Sequence, residues 1–286
     1  MTLTRNDILQ AAATCTDLPS FPQVVLALEQ AFQKEDASVQ DIAALVAQDA
    51  PLSARFLKVA NSALYASARE ATDVRQAVLR LGLVESRRIA IASSLLGAFG
   101  AMGGADAEKF WQHNLAVALI AEGIAKRSPN VGDDDVSAVF TAAILHDLGA
   151  IVLTYLYPEE VAALASRAHT HGQNLCMLEA EVWGVDHAEV GATLAETWGL
   201  PSPLPEVIRH HHHPLAAPDD VQVLAQVVHV ANFMANNRGF RRGEETHQES
   251  CSDGAFDALG FDMGEIPDLI DEVEELGERG EQMAQL

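Results

Sequence analysis

The chain has 286 residues, 49% of them apolar, with 18 basic against 41 acidic side chains and a formal charge of −23. That length and apolar content allow one large or two modest domains with real hydrophobic cores and exclude a disordered chain. The acid excess argues against a nucleic-acid backbone or an anionic membrane as the main partner, because either would be repelled.

Aromatic residues make up 6% of the chain, alanine is abundant and β-branched alternation is scarce, so helices are expected throughout. Apolar residues recur at spacings of three and four. Thr4 caps a predicted helix over about 5–14, and Pro19 and Pro22 lead into a second, PQVVLALEQAFQ. Ser38 stands ahead of VQDIAALVAQ. Asp49 precedes a helix with Pro51 in its first turn, where a missing N–H does no harm. A helix from Asp73 to near Gly82 and another over VESRRIAIASSLLGAF follow. The glycine-rich stretch at 97–104 marks a domain boundary, giving an N-terminal unit over 1–100.

Longer helical patterns then run over 107–127, 134–156, 159–170, 175–183, 187–198, 203–212 and 220–237, assigning 105–239 to a second bundle. The polar, unperiodic stretch at 240–254 reads as a mobile loop. The segment 255–286 is an acidic helical tail, with nine acidic residues and one basic from Asp262 onward. MTLTRNDILQ lacks the basic start and apolar core of a secretory signal. The apolar runs at 115–121 and 89–99 are too short or too polar to cross a bilayer. Cys15, Cys176 and Cys251 are widely spaced, with no CxxC pair, which fits a reducing cytoplasm.

Eleven histidines carry the most chemical information. His113, His146, His187, His210, His211, His212 and His229 fall in predicted helices or at their ends. His146 and Asp147 are adjacent in ILHDLG. Neighbours on a regular helix point about 100° apart, so both address one centre only if it lies between them or the helix loosens there, which Gly149 would permit. The set His113, His146, Asp147, His187, His211 and His212 comes from four predicted helices, and imidazoles with a carboxylate suit a divalent ion such as iron, manganese, zinc or nickel. The competing reading is a set of hydrogen-bonded helix residues, with His210–His213 an exposed helix end whose imidazoles meet the negative pole of the helix dipole.

The ordered blocks LPSFPQVVLALEQAF, VAQDAPLSARFLKVANSALY, QAVLRLGLVESRRIAIASSL, FWQHNLAVALIAEGIA, FTAAILHDLGAIVL, GVDHAEVGATLAETWGLP and IRHHHHP resemble an HDOD domain over about 18–214, and VVHVANFMA extends the likeness towards 235. HDOD domains are relatives of the HD and HD-GYP phosphohydrolases, all-α bundles in which histidines and aspartates hold metals over a phosphate ester. The resemblance implies that His113 is the first histidine, His146 and Asp147 the HD pair, His187 the next ligand, and His211 with His212 the paired histidines, in a run whose register is open by one. Asn232 stands where a catalytic relative has its last aspartate. Ala150 replaces a lysine of HD-GYP enzymes, and the residues after the histidines contain no GYP motif. These departures imply no catalytic residues and a residual metal site formed by His113, His146, Asp147, His187, His211 and His212 with Asn232 as a weak partner.

Elsewhere, Asp49, Arg55, Asn61, Ser62 and Tyr65 read as helix-terminating and structural residues, with a recognition surface as the alternative. Trp111, Trp183 and Trp198 read as core, Cys176 as a small buried residue, and Arg75, Arg80, Arg87 and Arg88 as a salt-bridged face. The expected fold is all-α: an N-terminal bundle of short helices packed on a larger HD-like bundle. The expected function is a cytoplasmic bacterial regulatory module that acts through contacts with signalling proteins and binds neither nucleic acid nor membrane. A metal-dependent phosphohydrolase acting on a nucleotide or cyclic dinucleotide is the alternative, and a nucleotide sensor that does not cleave is a third.

Overall fold

The computed structural model describes residues 3–15, 18–19, 21–32, 38–62, 65, 69–100, 102, 107–241, 251, 254–261 and 264–284. Among them there are helices and turns but no strand. By its internal contacts the chain divides into two compact units: Pro19–Gly100 with Met283–Leu286, and Met1–Leu18 with Ala101–Gln282.

The smaller unit contains α2 (Gln23–Phe32), α3 (Val39–Ala47), α4 (Ala50–Ala60), α5 (Val74–Leu81) and α6 (Leu83–Phe99). The sequence writes their starts. Ser38 and Asp41 cap α3 reciprocally, each side chain satisfying a backbone N–H of the other's turn. The Asp49 carboxylate accepts from Leu52 N, with a proline in the first turn, and Asp73 accepts from Gln76 N. Val25, Leu28, Ile42, Val46, Phe56, Ile91 and Leu95 fill the core. The Asn61 amide bonds both N and O of Ala71, at 2.8 and 2.9 Å, and so closes the connection after α4. Arg87 and Glu29 form a buried ion pair with contacts of 2.7 and 2.8 Å. Arg88 meets Glu85 at 2.8 Å, and Arg80 donates to Ala60 O and Asn61 Oδ1. These basic residues are tied into the scaffold.

The larger unit holds α1 (Arg5–Thr14), α7 (Ala107–Arg127), α8 (Asp133–Leu145), α9 (Leu148–Leu156), α10 (Pro158–His171), α11 (Leu175–Trp183), α12 (His187–Thr197), α13 (Leu204–His210), a 3-10 turn at Pro214–Ala216, α14 (Gln222–Asn237), α15 (Ala255–Ala258) and most of α16 (Ile266–Ala284). Helix α1, expected with the N-terminal bundle, packs instead on α9 and α12, and Arg5 pairs with Glu189. Helix α7 is buried all round from Leu115 to Ala125 and is flanked by α8 and α14, the mark of a central helix.

The stretch Asp135–Leu156 is long and apolar enough to cross a membrane by composition. Yet 78% of its most apolar window is buried inside the protein. It is not one helix, as the pattern over 134–156 predicts, but α8 and α9 separated by a break at His146–Asp147. Gly149 is needed just beyond that break because a Cβ there would overlap the His187 carbonyl and lie 2.5 Å from Gly191 N. Helices α9 and α12 therefore touch backbone to backbone.

Residues 101, 103 and 104 of the glycine-rich stretch at 97–104, and 242–250 with 252–253 of the expected loop at 240–254, lie outside the described residues. Phe240, at the start of that loop, is buried, and a methyl group on Gly277 of α16 would overlap its ring. Trp111 and Trp183 are core residues, whereas Trp198 is half-buried.

Candidate metal centre

The break between α8 and α9 turns His146 and Asp147 out of regular helix, so two adjacent residues serve one centre. His113 comes from the second turn of α7 and His187 from the first position of α12. His211 and His212 lie where the chain leaves α13. His113, His146, Asp147, His187 and His211 are all buried, and His212 is half-buried. The histidine run thus divides by environment: His210 Nε2 lies 3.4 Å from Glu206 Oε2, His213 is exposed, and His211 and His212 turn towards Asp147.

Two donor groups form around that aspartate. One comprises Asp147, His187, His211 and His212, the other His113, His146 and Asp147, with the ligating atoms of each within 4.8 Å of one another. Asp147 Oδ1 lies 3.2 Å from His187 Nε2 and 3.9 Å from His211 Nε2. Its Oδ2 lies 3.5 Å from His146 Nε2 and 3.8 Å from His113 Nε2. The Nε2 atoms of His187 and His212 are 2.8 Å apart.

The opposite edges of the rings are fixed. Nδ1 of His113, His146 and His211 donates to the carbonyl of Phe240, Ala143 and Ile208 respectively, each at 2.7 Å. Nδ1 of His187 donates to Glu179 Oε2 at 2.6 Å. A neutral imidazole that donates through Nδ1 keeps its Nε2 lone pair for a ligand. Nε2 of His146 and of His211 is buried with no hydrogen-bond partner, an arrangement that is costly unless something else occupies the lone pair.

Burial pushes His146 down to about 4 against the opposing pull of Asp147. Burial, with His212 and His146 beside it, holds His211 well below its ordinary value. His187 goes the other way: burial works to lower it but is outweighed by Glu179 and Asp147. Asp186 sits below the usual carboxylate range, because His187, the Glu189 N–H and the Cys176 thiol outweigh its desolvation.

Two nitrogen or oxygen ligands held about 2.1 Å from one ion are at most about 4.2 Å apart. The 2.8–3.9 Å separations meet that limit. With lone pairs aimed inward and a carboxylate between them, the donor set fits a divalent metal.

Asn232 is buried on α14, and its Oδ1 accepts from Asn236 Nδ2 at 2.9 Å, so part of its acceptor capacity is engaged within its own helix. Ala150 is buried and supplies no cation. Arg209, just before the histidine run, bonds Glu196 and lies 3.5 Å from Glu206.

The sequence reading missed three supporting groups. Glu179 lies in the helical pattern over 175–183 without being singled out, and Phe240 falls at the start of the expected loop at 240–254. His229, which the sequence places in a helix, donates from Nδ1 to the His211 carbonyl at 2.9 Å. The apolar neighbours of Glu179 in LCMLEAEVW were the available clue to the first.

The family model for the HDOD domain matches residues 18–214. The chain belongs to the HDOD family. An uncharacterized protein of Treponema pallidum (strain Nichols) is 30% identical over 236 residues, covering 82% of this chain and 44% of that protein, so the chain spans less than half of this relative's length. An HDOD domain protein of unknown function from Geobacter sulfurreducens superposes with a TM-score of 0.76 at 26% identity, covering 95% of this chain and 98% of that one. A candidate phosphohydrolase from Shewanella amazonensis SB2B gives 0.73 at 29% identity, covering 97% of each chain. This HDOD chain thus combines the family's helical fold with a buried His/Asp cluster suited to a metal.

Proposed function

We propose that this HDOD chain is a regulatory module that holds divalent metal in its His/Asp cluster and acts through contacts with signalling proteins rather than by turnover. The observation that carries the metal reading is the pair of buried Nε2 atoms, on His146 and His211, aimed at Asp147 with no hydrogen-bond partner. His187, His211 and His212 with Asp147 would hold one ion, and His113 and His146 with the same carboxylate a second. A bound ion supplies positive charge and Lewis acidity at this point. The chain's own residues orient the imidazoles through Phe240, Ala143, Ile208 and Glu179.

The regulatory reading is supported by Asn232, which brings no charge, and by Ala150, which brings no cation to a phosphate. Elemental analysis of untagged protein purified without a metal column tests the metal assignment. About one or more equivalents of iron, manganese, zinc or nickel is expected, and a content near zero after supplementation overturns it.

Hydrolysis is the second reading, favoured by the two donor groups that share Asp147 and by the likeness to a candidate phosphohydrolase. Turnover of nucleotides or cyclic dinucleotides with Mn²⁺ or Fe²⁺, abolished by His146→Ala, would replace the regulatory reading. Its absence together with partner capture supports regulation.

A further inference from the structure

Glu179 stands outside both donor groups, yet it is 2% exposed and its carboxylate is built into the site. Its Oε2 accepts from His187 N at 2.9 Å and from His187 Nδ1 at 2.6 Å. On the other edge of the same ring, Nε2 lies 3.2 Å from Asp147 and 2.8 Å from His212. The rings of His113, His146 and His211 are anchored by neutral backbone carbonyls, whereas His187 is anchored by a carboxylate. A carboxylate is costly to bury unless positive charge compensates it. An ion on Nε2 would spread positive charge across the ring to Nδ1, where Glu179 meets it.

We propose that Glu179 is a positioning residue that acts through His187 and sets the metal affinity of the centre formed by Asp147, His187, His211 and His212. The inference rests on the metal reading above. It assigns Glu179 two roles. Its bond to His187 N fixes the first turn of α12, while its bond to Nδ1 fixes the ring's tautomer and raises the basicity of Nε2. Carboxylates that back a metal-bound histidine typically change affinity by about 10–100-fold.

The test is titration of chelator-treated full-length protein with Co²⁺ and Zn²⁺, followed by calorimetry and by the visible absorption of Co²⁺. The variants are Glu179→Gln, Glu179→Ala and, as control, Glu181→Gln, an exposed residue on the same helix that pairs with Arg167. Glu179→Gln retains an oxygen for both N–H donors and removes the charge. It is expected to weaken one metal equivalent by about 10-fold or more and alter the Co²⁺ spectrum while the metal-free protein stays folded. Glu179→Ala should weaken that equivalent further, and Glu181→Gln should match wild type. Wild-type affinity and spectrum in Glu179→Gln overturn the proposal, even if Glu179→Ala is unstable, because the role is then structural alone. Absence of uptake by the wild type overturns the metal reading and this inference with it, a result distinct from normal uptake in both proteins.

Discussion

The two units bury charge in opposite ways. In the smaller one, Arg87 meets Glu29 through two contacts with both side chains inside the fold. Charge is matched by charge, and the Asn61 amide closes a turn by bonding both backbone groups of one residue. In the larger unit, four imidazoles face a single carboxylate, their outer edges tied down and two inner nitrogens left without hydrogen bonds. The first arrangement matches opposite charges directly within the fold. The second has oriented its donors towards a common point and so carries a cost that a bound cation would relieve. Buried polarity thus distinguishes structure from function by where the lone pairs point.

The contrast can be broken most directly at Asp147. Asp147→Asn should remove nearly all bound metal, since both donor groups depend on its carboxylate. Metal content per folded chain is the measurement, and retention at wild-type level would mean that the cluster is no metal centre. At the Arg87 pair the expected effect is on stability. Glu29→Ala leaves a buried guanidinium uncompensated and should cost about 3–5 kcal/mol in denaturant unfolding, with metal content per folded chain unchanged. A neutral result there would remove the distinction between the two networks.

A smaller effect should come from acid. His146 is buried with its folded value depressed to about 4 from 6.5. The unfolded chain therefore takes up this proton first, and the stability tied to the neutral ring is present above about 6.5 and lost as pH falls towards about 4. For metal-free protein the loss should be on the order of 3 kcal/mol across that window, read from urea midpoints at several pH values. A midpoint insensitive to pH there would indicate that the site relaxes to solvate the ring.

The helices were largely legible because their capping residues and apolar spacing are local. Ser38, Asp49 and Asp73 each announce a start that the backbone then uses. The break within 134–156 was not legible as a boundary, since the apolar pattern continues across it and the interruption depends on the close approach of α9 to α12 at Gly149. The ordered motif blocks pointed to His113, His146, Asp147 and His187, which are brought together from separate helices. The histidine run needed three dimensions, because His210 and His211 differ in sequence by position alone and in the fold by burial. Glu179 and Phe240 escaped notice because their roles lie in one oxygen atom each, aimed at a ring eight or 127 residues away.

Phe240 gives the acidic tail a bearing on the centre. Its carbonyl takes the His113 Nδ1 proton, while its ring lies in a notch of α16 that exists because residue 277 has no side chain. One residue thus contacts both the last helix, through its ring, and His113, through its carbonyl. A segment rich in negative charge and remote in sequence in this way reaches His113 on the central helix through one residue.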